Sequence, residues 1–384
     1  MVAIVGIGHT KFGQRKDASL RDLMFEAVQK VFNDSGLSPK DIDAMYTAVC
    51  GDGFAGQLSP GMLGPDIAGL LHKPNMRVEA ACATGSSAIH AAYASIKADL
   101  YDRVLVLGAE KMLQVTTPEA IQIMGMAGDL QWESVFGVTF PAYYAMLATA
   151  HMAKYGTTEE QLAKVAIKNH HYGAKNPVAQ FQKEITLEKA LNAAMVAYPL
   201  KLFDCCPLTD GAAAVILSKE DIAREDNDTP VYIEGLGSAS DHVSLMDRKT
   251  LTSLVGAVQA AKTAHNMAKT NIKDIHIACV HDCFTIAEIL AYEDLGICER
   301  GRGGKFIEEE GSYIGGKLPI NVDGGLKSKG HPIGATGVSQ AVEIVKQLRG
   351  EAEKGRQVPD AERGLVHNVG GSGHYAFVTI YGRR

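Results

Sequence analysis

One order of elements occurs twice along this chain, and that duplication limits the possible folds more than any other feature. Each copy has an apolar strand, an amphipathic helix, a second strand, a short segment with one reactive side chain, a long helix and a third strand. The strands and first helix of the first copy occupy residues 3–7, 20–33, 41–49 and 103–108, and those of the second occupy 231–236, 254–267, 274–282 and 364–368. The long helices end near residues 98 and 348.

Strands that alternate with helices, and that are almost wholly apolar as at residues 104–107, indicate sheets covered on both faces. We therefore predict an α/β fold: a five-layered α/β/α/β/α sandwich of two similar halves. Residues 112–206 match neither copy and form an inserted loop subdomain, which either covers a site or is a packing appendage. Residues 210–217 predict a strand that returns to the first half. The predicted domains are 1–111 with 207–228, 112–206, and 229–384; about thirty extra residues, near 299–319, lengthen the second copy.

Composition narrows the class of protein. The 384 residues are 46% hydrophobic and carry a net charge of −6, which suits a globular protein and disfavours a partner such as nucleic acid. The N-terminal residues 1–8 lack the charged region of a signal peptide and are too short to cross a membrane, so we expect a cytoplasmic protein. Seven scattered cysteines without a C-x-x-C pair predict reduced thiols. Cys279 and Cys283 are four apart, but in a predicted strand, so we predict no metal site.

Two segments place one reactive side chain just before an Ala-rich helix. The first, residues 80–88, carries Cys82, and the second, residues 330–337, carries His331. Unpaired amides at a helix start favour a thiolate, so we expect a lowered pKa for Cys82 and assign His331 as the base that takes its proton. Taken singly, Cys82 could equally be a small buried hydrophobic residue and 330–337 a simple turn.

Two further segments carry groups of the same chemistry. His281-Asp282-Cys283-Phe284 ends the second strand of the second copy, where His and Cys can converge at a turn. Residues 367–374 form a glycine-rich turn whose amides can approach a substrate oxygen closely. The plainer alternatives are a strand end with a buried cysteine and an ordinary hairpin turn.

Together with Asp210-Gly211-Ala212-Ala213 and Gly324-Gly325, these segments resemble the thiolase superfamily over essentially the whole chain. Ordinary thiolases have Asn-Glu-Ala-Phe in place of residues 281–284, and Cys-x-Gly in place of 368–370. The archaeal and sterol-carrier-protein types share both departures. The resemblance implies a thiolase-like sandwich.

The resemblance also implies site roles. Cys82 accepts an acyl group, His331 is its base, and Cys283 abstracts and returns the α-proton. His331 and a water held by His281 stabilise an enolate, the amides of Cys82 and Gly370 hold the acyl oxygen, and Asn368 orients its neighbours.

Coenzyme A needs a slot for its pantetheine arm and a polar mouth for its phosphates. Gly324 and Gly325 allow close backbone approach, and the inserted subdomain forms a wall. Lys327, Lys329 and His171 are candidates for the phosphate or pantetheine end, although both lysines fit solvated surface charge better. Coenzyme A and acetyl-CoA are expected as substrates, with no prosthetic group.

The implied reaction is acetyl-CoA C-acetyltransferase activity: two acetyl-CoA condense to acetoacetyl-CoA and CoA by a ping-pong acyl-cysteine mechanism at the entry to the mevalonate pathway. Two alternatives remain open, a degradative 3-ketoacyl-CoA thiolase of longer chains and a thiolase-like C-acylating or scaffold subunit. The resemblance further implies a homodimer or homotetramer, with hydroxymethylglutaryl-CoA synthase and a small zinc-ribbon/OB-fold protein as partners.

Overall fold

A computed structural model describes residues 1–384. The elements of the first half are β1 Val2–His9, α1 Leu20–Ser35, β2 Ala44–Ala48, α2 Asp52–Ala55, α3 Leu63–Ala68, β3 Asn75–Val78, α4 Thr84–Lys97 and β4 Arg103–Lys111. Next come α5 Thr117–Gly125, α6 Phe140–Tyr155, α7 Glu159–Gly173, α8 Leu187–Leu191, β5 Met195–Ala197, β6 Leu200–Lys201, β7 Asp210–Lys219 and α9 Ala223–Asp226. The last are β8 Val231–Ser240, α10 Val255–Ala268, β9 Ile277–Cys279, α11 Thr285–Asp294, α12 Gly303–Glu308, α13 Thr336–Arg349, β10 Arg363–Gly370 and β11 Tyr375–Arg383.

Nine strands form the main sheet in the order β3-β2-β4-β7-β1-β8-β11-β10-β9. The first five belong to the first half and the last four to the second. Strand β7 lies antiparallel between β4 and β1. Only three residue pairs join β1 to β8, so the halves meet along a short seam.

Five layers build the molecule, which confirms the predicted sandwich. Helix α1 covers one face of the first-half strands, and α10 covers β8 and β11. Helices α4 and α13 pack on each other in the middle. Their first turns approach closely because Gly85 and Gly337 lack side chains: a Cβ on Gly337 would lie 2.2 Å from the amide nitrogen of Ser86. The two reactive segments therefore meet at the centre of the protein.

The second strand of each copy is shorter than predicted, for the same reason in both. Asp41 and Asp274 each accept a bond from the backbone amide of the residue three positions earlier, Ser38 and Asn271. These capping boxes start short 3-10 turns before β2 and β9. The duplication thus extends to the turns.

Helix α1 shows how local sequence sets an element. Ser19 caps its first turn in a reciprocal pair with Asp22, and Gly36 ends it with a left-handed φ of 70°. One face buries apolar side chains against the sheet: Leu20, Leu23, Met24, Ala27, Val28 and Val31. Of all the helices, none combines the length and apolar character needed to span a bilayer.

Candidate active site

A strained turn presents Cys82. Ala81, directly before it, has a left-handed φ of 50°, which costs a non-glycine residue about 1–3 kcal/mol. The Thr84 hydroxyl stabilises the turn by accepting from the Ala80 amide at 3.0 Å and donating to the Ala81 carbonyl at 2.6 Å. Cys82 therefore stands just ahead of α4, buried to 8% exposure and fixed in place.

The tautomer of His331 follows from its hydrogen bonds. Its Nδ1 lies 2.6 Å from the hydroxyl of Thr336, and that hydroxyl donates its only hydrogen to the Pro332 carbonyl at 3.0 Å. With the hydroxyl hydrogen assigned to Pro332, Nδ1 carries the ring proton and donates it to Thr336. Nε2 keeps a free lone pair and is buried without a partner. His331 is thus arranged as a proton acceptor.

His281 has the opposite tautomer. The side-chain amide of Asn368 donates to the Cys82 carbonyl and to His281 Nδ1, both at 3.1 Å. Because Nδ1 accepts, the proton of the neutral ring is on Nε2, which has no partner of its own. The rings of His281 and His331 meet edge to face with centroids 5.1 Å apart. One imidazole accepts a proton and its neighbour donates a hydrogen bond.

Cys82, His281 and His331 offer ligand atoms that all lie within 4.8 Å of one another. A cysteine and two histidines match the ligands that zinc prefers. The Asn368 contact, however, places a hydrogen on the free nitrogen of His281, and a metal needs a lone pair there. The arrangement suits proton transfer and oxyanion binding better than a cation.

Burial sets the protonation states. It raises the pKa of the Cys82 thiol to about 12, although the Gly371 amide donates toward the sulfur and opposes the rise. The lowered pKa predicted for Cys82 was wrong, because the loss of water outweighs the amides at the helix start. Burial, and secondarily the charge of Lys327, lowers the pKa of His331 to about 3. The resting pair is therefore a neutral thiol beside a neutral imidazole.

Glu110, at the end of β4, ties the two halves together and was missed in the sequence. Its carboxylate accepts from the amides of Cys50 at 2.9 Å, Gly51 at 3.2 Å and Gly334 at 3.0 Å. Gly334 lies three residues after His331, so this acid fixes the His331 loop against the first half. Burial raises the pKa of Glu110 to about 7. The sequence feature that could have identified Glu110 is an acidic residue at the end of an otherwise apolar strand.

Cys283 is buried in the same region, and burial raises the pKa of its thiol well above the ordinary value. Tyr144 of α6 lies next to it. The Tyr144 hydroxyl also lies 3.1 Å from the Gly371 carbonyl, to which it donates, and the Tyr144 ring stacks on Phe284 with centroids 4.6 Å apart. The inserted subdomain thus supports the Cys283 loop.

The glycine-rich turn after β10 lies against the Cys82 turn. A Cβ on Gly370 would lie 2.3 Å from the Ala80 carbonyl, so only glycine allows this contact. The sequence predicts Gly370 as an amide donor to the acyl oxygen. The amide that approaches the Cys82 sulfur is that of the next residue, Gly371.

A cavity of about 570 Å³ opens onto these groups, and 18 of its 27 lining residues are hydrophobic. Cys82, Cys283 and His331 all line it. The segment 112–206, predicted as an inserted subdomain, contributes Met124, Met126 and Phe140, among others, to its wall. The three side chains predicted to react therefore share one apolar chamber.

The five residues predicted to bind coenzyme A do not line this cavity. Gly324 and Gly325 do allow close approach, but to the protein itself. A Cβ on Gly324 would lie 2.7 Å from the Cα of Gly173, and one on Gly325 would lie 2.4 Å from a carboxylate oxygen of Asp282. That acid accepts from the amides of the π-helical turn that precedes His331.

Both lysines are buried rather than solvated, so the surface interpretation was wrong. Lys329 pairs with Asp323. Lys327 is 2% exposed, and its ammonium nitrogen has no hydrogen-bond partner. His171 bonds Glu184 and Lys175 at the outer side of α7. Lysines in a segment so rich in glycine looked exposed, and the sequence does not show that the turn brings Asp323 against Lys329.

The layered fold and a buried Cys/His site shared between two similar halves define the class of thiolase-fold enzymes. The thiolase N-terminal domain family matches residues 2–221, and the thiolase C-terminal domain-like family matches residues 237–383. The chain belongs to the thiolase family, whose enzymes are acyltransferases.

Curated relatives cover the whole chain. An acetyl-CoA acetyltransferase of Methanothermobacter thermautotrophicus is 47% identical over 100% of this chain and 99% of its own. Sterol carrier protein 2 of Bos taurus is 37% identical over 99% of this chain and 72% of its own. Among solved structures, the Ltp2-ChsH2(DUF35) aldolase superposes with a TM-score of 0.87 at 28% identity over 100% of this chain and 97% of its own. Human mitochondrial 3-ketoacyl-CoA thiolase shares the fold, with a TM-score of 0.76 and 17% identity over 100% of this chain and 99% of its own.

Proposed function

We propose that this protein is an acetyl-CoA C-acetyltransferase that condenses two acetyl-CoA into acetoacetyl-CoA and CoA. The observation that carries the proposal is the pair of opposite tautomers beside Cys82, one ring accepting and the other donating. The name of the 47% identical archaeal relative supports the same activity.

In the first half-reaction Cys82 attacks the thioester carbonyl of acetyl-CoA while its proton passes to Nε2 of His331. The carbonyl oxygen becomes an oxyanion that amides near the sulfur stabilise, Gly371 among them and Gly370 as predicted from the sequence. The carbon–sulfur bond to CoA breaks, and the CoA thiolate leaves with the proton from His331. Acetyl-Cys82 remains. Neutral resting groups suit this step, because neither Cys82 nor His331 carries a buried charge until the substrate is bound.

In the second half-reaction the thiol proton of Cys283 passes to Nε2 of His331, and the Cys283 thiolate takes an α-proton from a second acetyl-CoA. The enolate oxygen accepts from protonated His331 and, through a water, from the N–H of His281. The enolate carbon attacks acetyl-Cys82, the new carbon–carbon bond forms, and the Cys82 thiolate leaves. Protonated His331 then gives its proton to the Cys82 thiolate, while the α-proton stays on Cys283, which restores all three groups and completes the cycle.

The decisive experiment is Cys283→Ala. Mass spectrometry after mixing with acetyl-CoA should show one acetyl group on Cys82, while acetoacetyl-CoA synthesis is lost. Cys205→Ala is the matched control, since it also lines the cavity, and it should retain both steps. Full synthesis by Cys283→Ala would refute the proton-transfer assignment, and no adduct in the wild type would favour a scaffold.

The cavity favours one second candidate, a thiolase that degrades 3-ketoacyl-CoA with longer chains. A largely hydrophobic volume of about 570 Å³ exceeds the needs of an acetyl group, although the pantetheine arm takes part of it. Thiolysis rates for ketoacyl-CoA of four to twelve carbons separate the candidates. Activity that rises beyond four carbons would favour degradation.

We further propose a homodimer that pairs at β3. This strand ends the main sheet, so its outer edge has unpaired backbone groups, and Met76 on it is 59% exposed. A second copy placed antiparallel would satisfy this edge. Light scattering should give twice the 41.0 kDa chain mass. Asn75→Pro should weaken the dimer: the Pro74 carbonyl accepts from Met45 of β2, so the Asn75 amide of the same peptide group points to the open edge, where proline cannot donate.

Hydroxymethylglutaryl-CoA synthase and a small zinc-ribbon/OB-fold protein are the proposed partners, in a cytoplasmic mevalonate pathway. An exposed apolar surface in the inserted subdomain supports such contacts, with Trp132 65% and Phe136 79% exposed. The aldolase of the 28% identical structure is itself named as a complex of two proteins. Co-purification with wild type but not with Trp132→Ser would support these partners; no complex and no coupled condensation in the mixture would refute them.

A further inference from the structure

Two cysteines of the cavity face each other across a short two-stranded ladder. Residues 204–206 run antiparallel to residues 283–285, with a bridge between Cys205 and Phe284. The Cys206 amide donates to the Cys283 carbonyl at 2.9 Å, and the Thr285 hydroxyl donates to Asp204 at 2.8 Å. The backbone therefore fixes these segments in one register.

In that register Cys206 stands directly opposite Cys283. Directly opposite residues of a hydrogen-bonded antiparallel pair have Cα atoms about 5.5 Å apart and side chains on the same face. Disulfides span Cα distances of about 4.4–6.8 Å but need Cβ atoms about 3.5–4.5 Å apart, whereas a hydrogen-bonded pair holds its Cβ atoms nearer to about 5.5 Å, so the two segments must draw together by about 1 Å for the bond to form. Cys205 points to the other face, where its thiol lies 3.4 Å from the Lys201 carbonyl.

Both sulfurs can be reached by a small molecule, since Cys206 and Cys283 line the same cavity as Cys82. Besides burial, a charge on Cys206 raises the pKa of the Cys283 thiol, which agrees with their proximity. Burial raises the pKa of Cys206 to about 12 and that of Cys283 well above its ordinary value. Exchange at either sulfur is consequently slow at neutral pH and accelerates as the pH rises.

We propose that Cys206 and Cys283 form a reversible disulfide by exchange with a small disulfide, RSSR, that enters the cavity. One cysteine thiolate attacks a sulfur of RSSR and releases the first RS⁻. The second cysteine attacks the resulting mixed disulfide and releases the second. Two protein thiols are oxidised, RSSR is reduced to two RSH, and the two thiol protons end on the released RSH.

The consequence for activity rests on the proposed function. A disulfide removes the thiol that abstracts the α-proton, yet leaves Cys82 and His331 unchanged. The oxidised protein accepts one acetyl group on Cys82 and makes no acetoacetyl-CoA. Oxidation thus blocks the second half-reaction but not the first, and a dithiol reductant restores the second half-reaction.

The test treats the reduced full-length protein with hydroxyethyl disulfide at about pH 8, near the ordinary cysteine pKa. Free thiols should fall from 7 to 5 (7 − 2), and peptide mapping should show Cys206 linked to Cys283. Synthesis should fall in proportion to the linked fraction and return with dithiothreitol. Cys206→Ser should keep its activity under treatment, and Cys205→Ser is the matched control that should behave as the wild type.

Other outcomes overturn specific statements. A stable mixed disulfide without a link, or a link that involves Cys82, refutes the proposed pair. A Cys206–Cys283 link with undiminished synthesis refutes the role of Cys283 in catalysis but leaves the disulfide in place. Circular dichroism of reduced Cys206→Ser tests its folding; if it is unfolded, Cys206→Ala takes its place.

Discussion

Replacing Thr336 by valine tests whether a single hydroxyl sets the function of His331. Valine keeps the branched shape but leaves the Nδ1–H of a buried imidazole without its acceptor at 2.6 Å. An unsatisfied buried donor costs about 1–3 kcal/mol, and the ring can avoid this cost by moving its proton to Nε2. Nε2 then cannot accept from Cys82. Since about 1.4 kcal/mol is tenfold in rate, acetylation of Cys82 should slow by roughly 5-fold to 150-fold.

The assay is a single-turnover measurement of acetyl-Cys82 by rapid quench and intact mass. Thr157→Val is the matched control, because Thr157 also lies 2.8 Å from the Nδ1 of a buried histidine, His151, but outside the cavity. Both variants should lose similar stability, while only Thr336→Val loses acetylation rate. Rates within about twofold of wild type in Thr336→Val would refute the tautomer argument, as would equal slowing in both variants.

Three further predictions concern Asn368, His331 and Glu110. Asn368→Leu removes the donor that keeps the proton of His281 on Nε2, so the rate of condensation should fall by roughly 100-fold while Cys82 is still acetylated rapidly. Equal losses in the two steps would contradict this. Because burial lowers the pKa of His331 to about 3, the ring stays neutral and able to accept a proton from about pH 8 to pH 5, so the rate of Cys82 acetylation should not change over that range. A fall in that rate below about pH 6.5, the ordinary histidine pKa, would contradict this. The pKa of Glu110, about 7, lies above its ordinary 4.5, so its contribution to stability is full below pH 4.5 and is lost as the pH rises through 7. At 1.36 kcal/mol per pKa unit, this loss amounts to about 3 kcal/mol in the free energy of unfolding between pH 4.5 and 8. Urea unfolding should show this pH dependence in the wild type and not in Glu110→Gln. The same pH dependence in both proteins would show that Glu110 is not its source.

The layered fold could be predicted because its signal is local and repeated. Continuous apolar strands and the duplicated order of elements specify covered sheets, and the protein has those layers. Strand β9 is shorter than the second strand predicted at residues 274–282, because Asn271 and Asp274 form a capping turn that the periodicity of apolar residues does not predict. The hydrogen-bonded seam between β1 and β8 depends on packing of the halves and has no sequence signature.

That Cys82, Cys283 and His331 lie together in one cavity could also be predicted, whereas their electrostatics could not. Cys82, Cys283 and His331 are marked by their unusual neighbours in sequence. The pKa of Cys82 depends on how completely water is excluded, and that requires the inserted subdomain and the second half in place. Lys327 and Lys329 illustrate the same point. A lysine is expected to be exposed because it is charged, and the sequence does not show that Lys329 lies beside the buried acid Asp323.

The duplication also explains why Cys82 and His331, the proposed nucleophile and its base, lie in different halves. Cys82 precedes α4 and His331 precedes α13, so the two occupy equivalent positions in the two copies. Equivalent helix starts meet only if the central helices approach at their first turns, and Gly85 and Gly337 allow this contact. A Cβ on Gly337 would lie 2.5 Å from Asn368 Oδ1, so the same glycine also leaves room for the amide that fixes His281. The packing of the two halves and the protonation of the site therefore depend on one close contact, and neither half alone can form the site.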